Sequence, residues 1–333
     1  MTFRFAALGL DHRHIYGMSQ NMIDAGADFA GWWTEGEPNT LDGFDKRFPG
    51  VERMEKDAIL SDPSIGAVLI AAVPRDRAAL AIAAMEAGKH VMVDKPGCTT
   101  PEQLQAIREA QARTGMIWAV NFSERYEVPA VTRASELVAE GMIGRVVQTV
   151  GLGPHRLNAP TRPKWFFERD AYGGILTDIA SHQIDQFLHF TGSTTAEITM
   201  ASVGNYANPD DPGLQDFGEL ALRSDSGHGY IRVDWYTPDA LPNWGDGRLT
   251  ILGTEGYIEL RKYVDVGGPE GTDHLILVNG TECRKIQCSD AGLPWFPQLL
   301  AEMQGADRTL SQEHDFTVME LALKAQAMAE ARG

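Results

Sequence analysis

The stretch RFAALGLDHRHIYGM, residues 4–18, decides the fold. An apolar run that ends in a glycine and passes into a segment of helical spacing is how the first strand and turn of a nucleotide-binding domain begin. The second and third glycines of a dinucleotide loop should follow, but Asp11 and His14 stand in their places with His12 between them. Two readings are open at this point: a phosphate loop that has lost its glycines, or a metal site of the form Asp-His-x-His.

The rest of the first 121 residues favours the nucleotide-binding context. Further short apolar runs, DFAGWW, GAVLIAA, HVMVD and MIWAVN, alternate with helical patterns. That alternation predicts a parallel sheet with crossover helices. RAALAIAAMEAGK has helical spacing with Gly88 near its end, and TPEQLQAIREAQARTG has Thr100 as N-cap, Pro101 at the first helical position and Gly115 as stop. Beyond residue 121 the pattern changes. Two helices, about 128–140 and 174–190, precede AEITMASVGNY, FGELALRS, GYIRVDWYT, RLTILGT, GYIELRK and HLILVN. Short strands separated by Gly, Asp and Pro turns, with no helices between, predict a mostly antiparallel sheet. A helical stretch from Glu313 through Arg332 closes the chain. The expected architecture is α/β plus α+β: a Rossmann-type doubly wound parallel sheet over 1–121, and over 122–333 a substrate-binding and oligomerisation domain with a large, open-faced, mostly antiparallel sheet.

Composition sets outer bounds. At 333 residues, two cores are expected rather than one. The formal net charge of -17 repels polyanions, so neither nucleic acid nor an anionic membrane is an expected partner. Cys98, Cys283 and Cys288 are odd in number and form no zinc-ribbon pattern, as free thiols in a reduced compartment would be. The opening residues lack signal-peptide character, and no apolar run approaches the roughly 18 residues of a membrane span. A cytoplasmic protein is expected.

His12 and His14 at i, i+2 after a strand resemble the His-x-His of metal-dependent hydrolases built on eight-stranded α/β barrels. Such a barrel needs strand-helix alternation to its end, which this chain abandons near residue 196, and no partner ligand stands out on later strand ends. No metal is expected.

A different resemblance covers most of the chain. GAVLIAAVPRDRAALAIAAMEAGKHVMVDKPGCTTPEQ, residues 66–103, is similar to the Gfo/Idh/MocA oxidoreductases, the group of glucose-fructose oxidoreductase and inositol dehydrogenase. There a helix ends in A-G-K-H and the next strand ends in Glu-Lys-Pro, which here reads Asp94-Lys95-Pro96. GGILTDIASHQID, residues 173–185, resembles the family's G-G-x-x-x-D-x-x-x-H-x-x-D, and PKWFFERDAYGG and LTILGTEGYIEL are further landmarks.

The resemblance implies an NAD(P)-dependent dehydrogenase acting on a secondary hydroxyl of a sugar, inositol or related polyol. Lys95, Asp178 and His182 are its implied catalytic set. Asp178 and His182 stand at i, i+4 on one expected helix face. A histidine with an ordinary pKa near 6.5 suits the base that takes the hydroxyl proton, and Lys95 polarises the same oxygen. Asp178 orients substrate and His182, while Asp185, one turn further on, is read as structural. Cofactor contacts are expected from Gly9, Leu10, Asp11, His12, Arg13, His14, Thr34, Glu35, Ala72, Val73, Pro74, Asp94, Lys95, Pro96 and Asn121. Asp11 puts a carboxylate where the family has glycine, so His12, Arg13 and His14 are read as replacement donors for the pyrophosphate. Thr34 and Glu35 follow the second strand, with Glu37 beyond and no Arg or Lys before Lys46. That favours NAD, without excluding NADP. Substrate contacts are expected from Lys95, Asp178 and His182 together with Tyr126, His155, Arg156 and Trp165, and Tyr236 is a further candidate. A homodimer or homotetramer paired through the open sheet face is implied. The rival readings are a non-catalytic ligand or dinucleotide sensor on the same scaffold and, behind it, the His12/His14 hydrolase.

Overall fold

The apolar runs become strands because each is buried on both faces or on one. The computed structural model describes residues 2–331, so Arg332 of the last expected helix lies outside the described residues. In chain order the strands are β1 (Arg4–Leu8), β2 (Asp28–Trp33), β3 (Ile65–Ile70), β4 (His90–Asp94), β5 (Trp118–Asn121), β6 (Val146–Pro154), β7 (Glu197–Gly204), β8 (Phe217–Arg223), β9 (His228–Asp234), β10 (Arg248–Gly253), β11 (Gly256–Arg261), β12 (His274–Asn279) and β13 (Cys283–Ile286). The helices are α1 (His14–Asp24), α2 (Leu41–Arg47), α3 (Lys56–Ser61), α4 (Arg77–Glu86), α5 (Pro101–Thr114), α6 (Ser123–Tyr126), α7 (Pro129–Ala139), α8 (Arg169–Tyr172), α9 (Ile175–Asp178), α10 (Ala180–Thr191), α11 (Trp295–Met303) and α12 (Gln312–Glu330).

The chain divides into two compact units. The first comprises the chain up to Asn121 with Pro163–Gly173 and Pro294–Met319; the second comprises Phe122–Arg162, Gly174–Leu293 and the chain from Glu320 on.

In the first unit β1 to β5 form an all-parallel sheet in the order β2-β1-β3-β4-β5. Phe5 to Leu8 and Ala67 to Ile70 are wholly buried, which is why these strands read as continuous apolar runs rather than as alternating ones. The order reverses between β1 and β3, so the crevice at their C-terminal ends is where an open α/β sheet takes its ligand. The Thr100 side chain accepts from the Gln103 amide at 3.2 Å, and Gly115 ends α5 at φ +70°. Such an N-cap contributes about 1 kcal/mol.

In the second unit eight strands are ordered β13-β12-β11-β10-β6-β9-β8-β7, antiparallel except between β6 and β9. One face carries α7 over β11 and β12, and α10 over β6 and β9. Its core includes Val131, Leu249, Ile251, Ile258, Leu260, Leu275 and Leu277. Strand β6 is absent from the sequence reading because VVQTVGLGP carries two glycines and a proline. Both glycines answer to α10: a Cβ on Gly151 would lie 2.7 Å from Gln183 Cγ, and one on Gly153 would lie 2.9 Å from Gln183 Nε2. They allow the helix to lie close against a central strand, a positional use of glycine that looks like a loop in the sequence.

The single helix expected over 174–190 is two, α9 and α10, meeting at Ile179. Among the described residues no helix is long and apolar enough to cross a membrane.

Candidate functional site

In the first unit the β1–α1 turn is built around Gly9, at φ +82°. A Cβ there would lie 2.5 Å from the Ala72 Cβ, so no larger residue fits between the ends of β1 and β3. Gly9 donates its amide to the Trp33 carbonyl at 2.7 Å, and His12 donates its own to the Ala71 carbonyl at 2.9 Å. The buried Leu10 amide is held by Thr34 Oγ1 at 3.1 Å. The loop is therefore tied to both neighbouring strand ends. Asp11 turns toward the Val73 amide and its own; burial pushes its carboxyl up to about 6 against the pull of Arg77. Pro74 opens the short turn that leads into α4.

The two histidines converge on the end of β4. His14 Nδ1 lies 2.7 Å from Asp94 Oδ1, and His12 Nδ1 lies 2.8 Å from Asp94 Oδ2. The rings stand edge to face, with centroids 4.4 Å apart at 83°. Burial holds His12 down at about 4 even though Asp94 pulls the other way, so it is uncharged at neutral pH. Burial alone would raise the Asp94 carboxyl, but His14, Arg77 and His12 hold it well below the usual carboxylate range. The Arg77 side chain, 1% exposed, donates to Asp94 Oδ2 at 2.9 Å and to the carbonyls of Ala72, Asp94, Lys95 and Pro96. It thus clamps the segment carrying Lys95, which is itself buried. Asn121, at the end of β5, is the register partner of Asp94. Nothing in the sequence reading singled out Arg77; its signal is an arginine beginning an otherwise apolar helix.

At the end of β2 the structure corrects the sequence reading. No cation was expected near Glu35 and Glu37, yet Arg53 donates to Glu37 at 3.0 Å and to the carbonyls of Thr34 and Gly36 at 3.2 and 3.3 Å. Its guanidinium lies over the Trp32 ring, 5.3 Å from the centroid. Arg53 stands 16 positions beyond Glu37 in the chain and returns to it past α2, through an isolated bridge with Trp32. Thr34 is buried and Glu35 exposed.

In the second unit Gly174, at φ +86°, begins the turn into α9. A Cβ on Gly174 would strike Gln326 at 2.3 Å. Gln215 and Gln326 take the Ile175 and Leu176 amides at 3.0 and 2.9 Å, so the start of α9 is capped by side chains. Asp178 ends α9, half-buried, and His182 lies in the first turn of α10, 1% exposed, edge-on to Phe122 at 6.3 Å. Behind them is a buried polar cluster that the sequence reading missed. Lys262 donates to Glu124 Oε2 at 2.7 Å and Gln183 does so at 3.0 Å. Burial alone would raise the Glu124 carboxyl, but Lys262, His182 and His155 hold it down at about 2.

Each of the remaining candidates has contacts of its own. Asp185 accepts a two-pronged pair of hydrogen bonds from Arg125 at 2.6 and 2.7 Å. Tyr126 is buried, with the Arg125 guanidinium 4.2 Å from its ring centroid. His155 packs against Trp235 and Trp244 with centroids at 5.3 and 4.6 Å. Arg156 caps the carbonyls of Pro238 and Leu241 at 2.9 and 2.6 Å, and Tyr236 donates to Asp216. Trp165 belongs to the first unit, in the short turn Lys164–Phe167.

Comparison with known proteins agrees with this anatomy. Residues 24–122 match the family model described as an oxidoreductase family with an NAD-binding Rossmann fold, and residues 131–259 match the GFO/IDH/MocA C-terminal domain. A levoglucosan dehydrogenase of Pseudarthrobacter phenanthrenivorans is 36% identical over 45% of this chain and 40% of its own length. The NAD(+) scyllo-inositol 2-dehydrogenase of Bacillus subtilis is 30% identical over 63% of this chain and 59% of its own. The aligned stretches thus span only about two fifths to three fifths of those relatives. A crystal structure from Erwinia carotovora atroseptica superposes with a TM-score of 0.95 at 44% identity, covering 98% of this chain and 99% of that one. Levoglucosan dehydrogenase in complex with NADH and levoglucosan shares the fold at a TM-score of 0.80 and 20% identity, covering 100% of this chain and 98% of that one. The chain belongs to the Gfo/Idh/MocA family of oxidoreductases, with an NAD-binding Rossmann unit followed by that family's C-terminal domain.

Proposed function

We propose that the protein is an NAD(P)-dependent dehydrogenase that oxidises a secondary hydroxyl of a sugar, inositol or related polyol. The observation that carries this reading is the Gly9 turn at the sheet's switch point, a cradle that any Cβ would fill. Gly9 to His14, Thr34, Glu35, Ala72 to Pro74, Asp94 to Pro96 and Asn121 would hold the dinucleotide. When bound, the nicotinamide ring supplies the acceptor for the hydride leaving the carbinol carbon. The chain's own residues handle the proton. His182 accepts it from the substrate hydroxyl, Lys95 polarises that oxygen, and Asp178 orients His182 and the substrate. Tyr126, His155, Arg156 and Trp165 are carried with this proposal as substrate contacts, although Arg156 already has carbonyl partners at 2.6 and 2.9 Å. The names of the relatives, levoglucosan and scyllo-inositol dehydrogenases, support a cyclic polyol as the substrate class.

We further place the protein in the cytoplasm, on the three free thiols. We assign it a homo-oligomer paired through the open sheet face, where Leu252 and Tyr257 are cross-strand partners left 40% and 38% exposed. The test is a screen of aldoses, inositols and anhydrosugars for reduction of NAD or NADP, repeated with His182→Ala and Lys95→Ala. Each variant should lower kcat/KM by about a hundredfold or more. Dinucleotide binding without turnover of any polyol would instead favour the sensor reading. Unchanged turnover in His182→Ala would remove that residue from the mechanism.

A further inference from the structure

We propose that His12, His14 and Asp94 form a binding site for one divalent transition-metal ion of the zinc and cobalt class. The proposal concerns the first unit alone and does not rest on the dehydrogenase reading.

The three donor atoms lie within 4.8 Å of one another. His12 lies in the β1–α1 turn and His14 opens α1, while the carboxylate comes from the end of β4, 80 positions beyond His14. The partner on a later strand end that the His-x-His pair lacked in the sequence is therefore Asp94. The two imidazoles do not address it alike. His14 Nδ1 is hydrogen-bonded to Oδ1 at 2.7 Å. His12 Nδ1 lies 2.8 Å from Oδ2, shielded from solvent, yet without the alignment of a hydrogen bond. A ring nitrogen held that close to a carboxylate oxygen, without a proton directed along the contact, is unfavourable, and a cation shared between the two relieves it. The perpendicular rings, at 83°, bring their donors to the carboxylate from two directions, as ligands around a common ion do.

The surroundings suit an ion as well. Arg77 fixes Asp94 from behind at 2.9 Å, the outer-shell contact that orients a ligating carboxylate. Asp94 is shut off from solvent, while the His12 and His14 side chains are 26% and 31% exposed, so an ion has an entry path past the rings. Donors around a tetrahedral zinc stand about 3.3 Å apart. The present spacings of 2.7 Å to Oδ1 and 2.8 Å to Oδ2 are shorter than that, so the two part-exposed rings swing outward to admit an ion. Two imidazole nitrogens and one carboxylate oxygen select zinc or cobalt over magnesium or calcium, which prefer all-oxygen shells. Three protein ligands also leave a position open for water or for an anionic oxygen.

The test uses the whole protein, stripped with a chelator and desalted, with zinc chloride and cobalt chloride as probes and no dinucleotide present. Calorimetry should show stoichiometric zinc binding, and cobalt should give ligand-field absorption of a nitrogen and oxygen site. His12→Ala and His14→Ala should each weaken zinc binding at least about a hundredfold, the upper end of what losing even an outer-shell partner costs. Both rings are part-exposed, and circular dichroism checks that the variants fold. In the wild type, nitrogen-15 histidine spectra should show the Nδ1 signals of two histidines shifting with zinc, which keeps the test decisive even if a variant misfolds. Absence of stoichiometric binding by the wild type, or binding that survives in both folded variants, overturns the proposal.

Discussion

Lys262 donates to Glu124 at 2.7 Å, and both side chains are closed to solvent. Neither charge is tolerable there alone, because an unpaired buried ion costs several kcal/mol. Lys262→Met should therefore destabilise the protein by about 3 to 5 kcal/mol. Lys262→Met combined with Glu124→Gln should recover much of that loss, since it removes both charges. The pair also has a pH signature. The Glu124 carboxyl is held at about 2, below its ordinary 4.5, so its contribution is full above pH 4.5 and is lost as the pH falls toward 2. Urea denaturation across that range measures both effects, and a double variant no more stable than Lys262→Met would refute the argument.

Glu124 and Lys262 also mark where sequence reading stops. They are 138 positions apart and belong to no motif, so only the folded second unit joins them. The same holds for Arg77 on Asp94 and Arg53 on Glu37, contacts made by chain returning from elsewhere. What was legible was local. Thr100, Pro101 and Gly115 mark the ends of α5 by backbone chemistry that needs no tertiary partner, and β1 to β5 announce themselves as apolar runs. Strand β6 was illegible for the opposite reason. Gly151 and Gly153 serve the close passage of α10, and their meaning appears only once that helix is in place.

Asp11 should be a stability liability, growing from about pH 4 and complete above about pH 6. Its carboxyl is raised by burial from 3.8 to about 6, so the folded state resists ionisation and the penalty grows as the pH rises through that interval. His12 acts in the other sense. Held at about 4, below its ordinary 6.5, it destabilises the fold as the pH falls through 6.5 toward 4. Asp11→Asn removes only the first effect. It should raise stability by about 2 kcal/mol at pH 8 and leave it nearly unchanged at pH 4. Thermal unfolding at the two pH values checks this, and an equal gain at both would mean that the carboxylate charge is not the cause.

Arg53 should govern the choice between the two dinucleotides. In a Rossmann unit the adenosine ribose lies at the end of β2, and here the Arg53 guanidinium is held there by Glu37 at 3.0 Å and by the Thr34 and Gly36 carbonyls. The ion pair is weak, with Arg53 44% and Glu37 72% exposed, so a 2'-phosphate can displace the carboxylate. Charge-assisted hydrogen bonds to phosphate are worth about 1.5 to 3 kcal/mol. Arg53→Gln should accordingly weaken NADP binding by about tenfold or more while leaving NAD nearly unchanged. Glu37→Gln should act oppositely, strengthening NADP binding severalfold by freeing the guanidinium. Fluorescence titration of both dinucleotides into the three proteins measures the ratio directly. A loss of NAD and NADP affinity by the same factor in Arg53→Gln would show that Arg53 serves only to hold the Thr34 and Gly36 carbonyls, and the acidic pair would then stand as the determinant.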